Sequence, residues 1–197
     1  MRLPNLRKAD LDEEHLQVWE QVCRVRGAET VNEGGGLVGP FNSFVHAPNV
    51  GSRLLELGNA LHARTTLPMR TTELVILTVG AHWRAEFEWW AHARRALESG
   101  VPDVVVEAIG AGATPDFEDD ADRVIHALAR QLVDRGRIEE DTYEAVRGVV
   151  GDRGMVELVS LCGYYTLISF LLNGFDVQLP LGQSTRWAHA SAENSHG

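Results

Sequence analysis

Cysteine is nearly missing from this chain: its 197 residues hold two, Cys23 and Cys162, far apart and in no Cys-x-x-Cys pattern. An adjacent redox dithiol is therefore excluded, and both thiols are expected to be reduced, as in a cytoplasmic protein. Lysine is scarcer still. Lys8 is the only one, so nearly all positive charge is arginine, and the net charge is -10. No basic cluster offers a phosphate-binding face, so nucleic acid is not an expected partner. The N-terminal "MRLPNLRKADLDEE" has no apolar run after its charges and does not read as a secretory signal. Sustained strand alternation and Asn-Gly hairpin turns are absent, which argues against a sheet. Long apolar runs are missing too, with one exception. Leu158 to Phe175, "LVSLCGYYTLISFLLNGF", is long enough to raise the question of a membrane span. It carries Ser160, Gly163, Tyr164, Tyr165, Thr166, Ser169, Asn173 and Gly174, so a core or interface helix is expected and no membrane.

What is present is helical pattern. Asp10 with Glu13 predicts the cap of a first helix that runs to Arg26, where Gly27 follows. Residues 27–49, with Gly34, Gly35, Gly36, Pro40 and Pro48, read as a long ordered loop. A helix over 50–64 is predicted to present Leu54, Leu57 and Leu61, with Leu55 beside them. The next, 71–82, is apolar on most sides. Another spans 85–99, with Gly100 at its C-terminal cap. Pro102 and Pro115 can each open a helix, the second showing Val124, Leu128 and Leu132. Two more cover 139–150 and 154–174. From Gln183 onward the chain is small and polar and is expected to be mobile, although Trp187 can dock. The predicted fold class is all-α, a single domain.

One stretch concentrates chemistry. "HWRAEFEWWAH", residues 82–92, puts acids, indoles and histidines into about three turns. Glu88 and His92, four apart, share a helix face. Glu73, on the preceding helix, reaches them if a short turn near 82–84 makes the two helices antiparallel. Two close carboxylates cannot both ionise cheaply, and apolar walls raise a carboxyl's pKa further. An imidazole beside them can be tuned to exchange a proton near neutrality. The blander alternative is a solvated Glu–His pair, with Glu73 as a first-turn acid favoured by the helix dipole. The candidate catalytic residues are His92, Glu88 and Glu73. Arg84 is the candidate anchor for a substrate carboxylate, or a partner of Glu88. Trp89 is a candidate pocket wall, and His46 and Tyr165 are candidate ligand contacts whose alternative is a structural role. His82 is expected to close the turn. A metal held by Glu73, Glu88, His92 and His82 is conceivable, but the stretch has no HExxH or ExxH, so neither metal nor cofactor is expected.

The run "GPFNSFVHAPNVGSRLLELGNALHARTTLPMRTTELVILTVGAHWRAEFEWWAHARRALESGVPDVVVEAI" resembles the carboxymuconolactone decarboxylase family, which shares its helical fold with alkylhydroperoxidase D. "LVSLCGYYTLISFLLNGFDVQLP" resembles the final helix of its longer members. The resemblance implies an alkylhydroperoxidase D-like helical bundle over 39–182. Residues 1–38 form an N-terminal helix and Gly-rich loop beyond the short decarboxylases, and 183–197 a polar tail. In the peroxidase branch a glutamate precedes Cys-x-x-Cys, and a histidine follows four residues after the second cysteine. Those positions are Glu73, Ala85, Glu88 and His92, so no sulfur stands where dithiol peroxidase chemistry needs it. The decarboxylase branch, with acids four and six residues before the histidine, fits Glu88, Glu86 and His92. Glu73 is the feature shared with the peroxidases. The implied activity is a cofactor-free acid–base lyase or isomerase acting on a small carboxylated or lactone-type, aromatic-derived compound. The alternatives are an oxidoreductase using another redox route and an inactive ligand-binding member. Family members form trimers or hexamers, so a homo-oligomer is expected.

Overall fold

The computed structural model describes residues 1–187 of the chain. Among them are eight α-helices and no strand beyond an isolated antiparallel bridge between Val31 and Leu37. The helices are α1 (Glu13–Arg26), α2 (Phe41–His46), α3 (Pro48–Ala63), α4 (Met69–His82), α5 (Glu86–Glu98), α6 (Asp103–Gly110), α7 (Asp120–Arg135) and α8 (Glu140–Gly174).

α4 is the axis of the bundle. It packs against α5, α6, α7 and α8, and every residue from Thr71 to Gly80 is buried. That placement explains a helix apolar on most sides. Leu74, Val75, Ile76, Leu77 and Val79 are almost wholly shielded from water. Each such side chain stabilises the fold by about 1.5–3 kcal/mol relative to exposure. Charged Glu73 within this helix therefore needs a local explanation.

Several boundaries differ from the sequence reading, each for a physical reason. The first helix is capped by Asp12, whose side chain accepts from the His15 N–H at 3.1 Å, while Asp10 ends a short 3-10 turn and pairs with Arg7. α7 is capped by Asp119, not opened by Pro115. The expected 27–49 loop contains a 3-10 turn, the isolated bridge and α2. On α3 the buried face is Gly51, Leu55, Gly58 and Leu61, and Leu57 is exposed. The two glycines are the reason. A side chain at Gly51 would strike the Phe44 backbone, and one at Gly58 would strike the Tyr164 ring. The close-packed face is marked by missing side chains, which an apolar count overlooks.

The 139–150 and 154–174 helices form one continuous element, α8, kinked at Gly151, where φ is 68°. The tail is not free as far as it is described. Both Glu86 carboxylate oxygens accept backbone N–H bonds, from Arg186 and Trp187, each at 2.7 Å, and the Trp187 indole donates to the Gly110 carbonyl. The rest of the expected mobile tail lies outside the described residues.

Candidate functional site

The site is made by the α4–α5 turn. Trp83 caps α4, and Arg84 takes the left-handed conformation (φ 49°). The Arg84 N–H bonds to the Ala81 carbonyl and the Ala85 N–H to Gly80, which closes α4 and reverses the chain within three residues. The two helices are in close contact at this point: a Cβ on Gly80 would lie 3.4 Å from the Glu88 Cβ. The antiparallel pair that follows brings Glu73 of α4 to His92 of α5.

His92 Nδ1 lies 2.7 Å from Glu73 Oε2, both side chains buried. A carboxylate only accepts, so Nδ1 donates and Nε2 is turned the other way. Nε2 lies 3.3 Å from Glu88 Oε2. That approach is close enough for an ion pair but misaligned for a hydrogen bond, which leaves the buried Glu88 oxygen without a hydrogen-bond partner. Burial is the largest influence on Glu88 and holds its carboxyl above the usual range; neighbouring His92 and Arg26 pull it down, and Glu73 pushes it up. Burial thus makes ionisation of Glu88 harder than that of a free carboxyl.

Two rings shield the imidazole. Tyr165 meets it edge-on, with centroids 5.4 Å apart, and His62 of α3 stacks at 6.0 Å. His62 Nε2 and the Tyr165 hydroxyl are hydrogen-bonded. Burial, aided by neighbouring His92 and Arg26, lowers His62 to about 3, so it is neutral. Burial also raises Tyr165 well above its ordinary value, which keeps its hydroxyl protonated.

His92, Glu88, Tyr164 and Tyr165 open on a cleft of about 760 Å³ that Arg26, Phe41 and Trp89 also line. Glu73 is not on its wall; it supports His92 from behind. Two expectations need correction. Arg84 is exposed in the turn and lies outside this cleft, because its left-handed backbone serves to end α4. His46 is structural: its Nε2 lies 2.8 Å from the Pro4 carbonyl, pinning the N-terminal segment. Trp89 lines the cleft, as a pocket wall would, and its ring packs against Arg186 (4.6 Å) and Trp187 (5.3 Å). His82 is the last residue of α4; it meets the Trp83 ring edge-on at 4.6 Å, and its Nδ1 lies 3.1 Å from Asp134 Oδ1. His62 and Arg26 were not anticipated. They come from α3 and α1, and only tertiary packing brings them here.

Neither cysteine reaches the cleft. Cys162 is buried in α8 with its thiol pushed up to about 12 by burial, and Cys23 is also raised, chiefly by burial. Among the described residues no group of three or more His, Cys, Asp or Glu side chains is arranged to hold a metal ion.

Residues 48–131, which contain Glu73, Glu88 and His92, match the model of the carboxymuconolactone decarboxylase family. Over that span the chain is similar to the carboxymuconolactone decarboxylase family. Solved structures agree on the fold. An uncharacterized peroxidase-related protein from Ralstonia eutropha JMP134 with an alkylhydroperoxidase AhpD core superposes with a TM-score of 0.71 at 15% identity, covering 90% of each chain. A protein of unknown function from Agrobacterium tumefaciens gives 0.63 at 16% identity, covering 71% of this chain and 97% of its own. A Cys-to-Ala variant of the debrominase Bmp8, in complex with 2,3,4-tribromopyrrole, gives 0.67 at 14% identity, covering 92% of each. No curated protein sequence matches. Arg26 of α1 and Arg186 of the C-terminal segment, both outside residues 48–131, also line the cleft.

Proposed function

We propose that this protein is an acid–base enzyme, a decarboxylating lyase or isomerase that acts on a small carboxylated or lactone-type compound. The observation that carries the reading is His92: its Nδ1 is fixed by buried Glu73 at 2.7 Å, while Nε2 faces Glu88 at 3.3 Å on the wall of a cleft. A histidine locked on one nitrogen presents the other in a defined direction. Glu88, harder to ionise than a free carboxyl, can hand a proton to Nε2 or to substrate.

For decarboxylation of a conjugated lactone, the bond from the ring carbon to the carboxylate breaks. Its electron pair enters the unsaturated lactone, CO₂ leaves, and the resulting dienolate takes a proton at carbon from His92 or Glu88. The substrate itself accepts the electrons. The chain's residues bind the acid, exclude water and deliver the proton. Tyr165, protonated beside His92, can donate to the developing enolate oxygen. Isomerisation uses the same groups, with proton removal replacing the loss of CO₂. The absence of sulfur at positions 85 and 88 argues against a dithiol route.

The same proposal makes the protein a cytoplasmic homo-oligomer, a trimer or hexamer. Only half of the apolar window of α8 is buried in the monomer, and Val156, Val159, Leu167 and Phe170 remain exposed.

The test is turnover of a panel of unsaturated carboxylated lactones in D₂O. Product carrying one solvent deuteron on carbon supports the proposal. A folded protein that neither turns over the panel nor exchanges any substrate C–H would leave a ligand-binding role in its place.

A further inference from the structure

The cleft holds a cation that the proton chemistry does not use. Arg26 is the last residue of α1, and its backbone is firmly placed. Gly27 follows with φ 95° and bonds its N–H to the Cys23 carbonyl, so the helix ends there. The next turn is tied down in sequence. The Thr30 hydroxyl donates to the Gly27 carbonyl at 2.7 Å, and the Val38 N–H to the Thr30 carbonyl at 2.9 Å.

From that fixed base the Arg26 side chain lines the cleft together with Glu88, His92, Tyr164 and Tyr165. Its guanidinium carbon lies 5.8 Å from the centroid of the Phe41 ring. Its Nε is buried and has no hydrogen-bond partner, and among the described residues no carboxylate lies within ion-pair distance of its guanidinium. Buried guanidinium donors are normally satisfied. An arginine held in a cleft wall with an idle buried donor is configured for an acceptor that arrives from outside. Arg84, the anchor suggested by sequence, is exposed and off the cleft.

We infer that Arg26 is a specificity-determining residue that binds a carboxylate of the substrate, so the N-terminal extension, outside the family segment 48–131, completes the site. The inference rests on the acid–base reading for the chemistry at His92, but not for the binding itself. It also narrows the substrate. Pairing with Arg26 stabilises a carboxylate in the ground state and would oppose its loss as CO₂. The group Arg26 holds is therefore retained through the reaction, and the substrate is a small acid whose anionic handle lies away from the reacting carbon.

The experiment is equilibrium binding by calorimetry, with 5-oxo-2,5-dihydrofuran-2-acetic acid and its methyl ester as probes. Wild-type protein should bind the acid at least about tenfold tighter than the ester, the share of a hydrogen bond to a charged group. Arg26→Gln should bring the ratio close to one. Arg26→Lys, which keeps the charge and loses the planar fork, should lower the ratio by a few-fold. Arg95→Gln, which alters an exposed cation on the same cleft, should keep the preference. A merely structural Arg26 would shift the melting temperature in these variants and leave the acid-to-ester ratio alone. Wild-type protein without acid preference, or preference lost with Arg95→Gln and kept with Arg26→Gln, overturns the inference. If Arg26→Gln does not fold, an unchanged ratio in Arg26→Lys overturns it equally. These readouts need no turnover. Failure of the deuterium test would leave them standing, and their failure would leave the deuterium result standing.

Discussion

Replacing Glu88 by glutamine should stabilise the protein, and by more as pH rises. Glu88 is 4% exposed, and its Oε2 lacks a hydrogen-bond partner. Burial holds its carboxyl above the ordinary value of 4.5, with Glu73 pushing the same way and His92, Arg26 and Arg95 opposing. A raised folded-state pKa has a definite sign. Below about pH 4.5 both folded and unfolded chains keep the proton, and the group costs nothing. Above it the unfolded chain releases the proton and the folded chain does not, so stability falls by up to about 1.4 kcal/mol per pH unit. The loss ends once pH passes the folded pKa. Glutamine has the same shape and no proton to lose, so it leaves no cavity and removes the penalty. The assay is urea unfolding of both proteins at fixed concentration, over about pH 4 to 8, with equal m-values required. Subtracting wild type from variant cancels the groups common to both. The difference should be flat at the acid end, climb with at most the one-proton slope, and level off. A difference that stays flat throughout, or declines with pH, would refute the reasoning, because Glu88 would then be ionised in the folded protein.

Gly51→Ala should destabilise by about 1–3 kcal/mol in the same unfolding assay, despite alanine's better helix propensity, because the new methyl meets the Phe44 backbone; a stabilised variant would mean the α2–α3 contact is looser than described. Arg70→Ala should cost about 1–3 kcal/mol, because it strands Asp122, 4% exposed, which now accepts from the Arg70 Nε at 2.9 Å. The figure stays below that of a fully buried pair because the Arg70 side chain is a third exposed. In plain buffer, light scattering should report a soluble homo-oligomer, and Phe170→Glu should dissociate it; a monomeric wild type would remove the exposed α8 face from the account.

The bundle was legible where the local pattern coincides with packing. α4 is apolar all round because it is surrounded, and Gly100 ends α5 as a capping glycine does, with φ 92° and the buried Val101 behind it. The Glu73–Glu88–His92 cluster was legible because one short turn fixes it. α3 was misjudged because its contact face is written in Gly51 and Gly58, which carry no hydrophobic signal. The cationic residue of the cleft was misjudged for a different reason. Arg84 is near His92 in sequence, while Arg26 is near the cleft only after α1 folds back over α2 and α3. His62 likewise reaches His92 across the bundle. Glu86, grouped with Glu88 by sequence, spends its carboxylate on the Arg186 and Trp187 backbone.

The central claim is that His92, oriented by Glu73, moves the proton. The most direct measurement is steady-state turnover of a carboxylated unsaturated lactone by wild type and by His92→Gln, which keeps an amide donor for Glu73 and so spares the fold. With circular dichroism and oligomeric state unchanged, kcat should fall by about a hundredfold or more, the usual share of a positioned acid or base, with little change in binding. A folded His92→Gln protein that retains wild-type kcat would contradict the account.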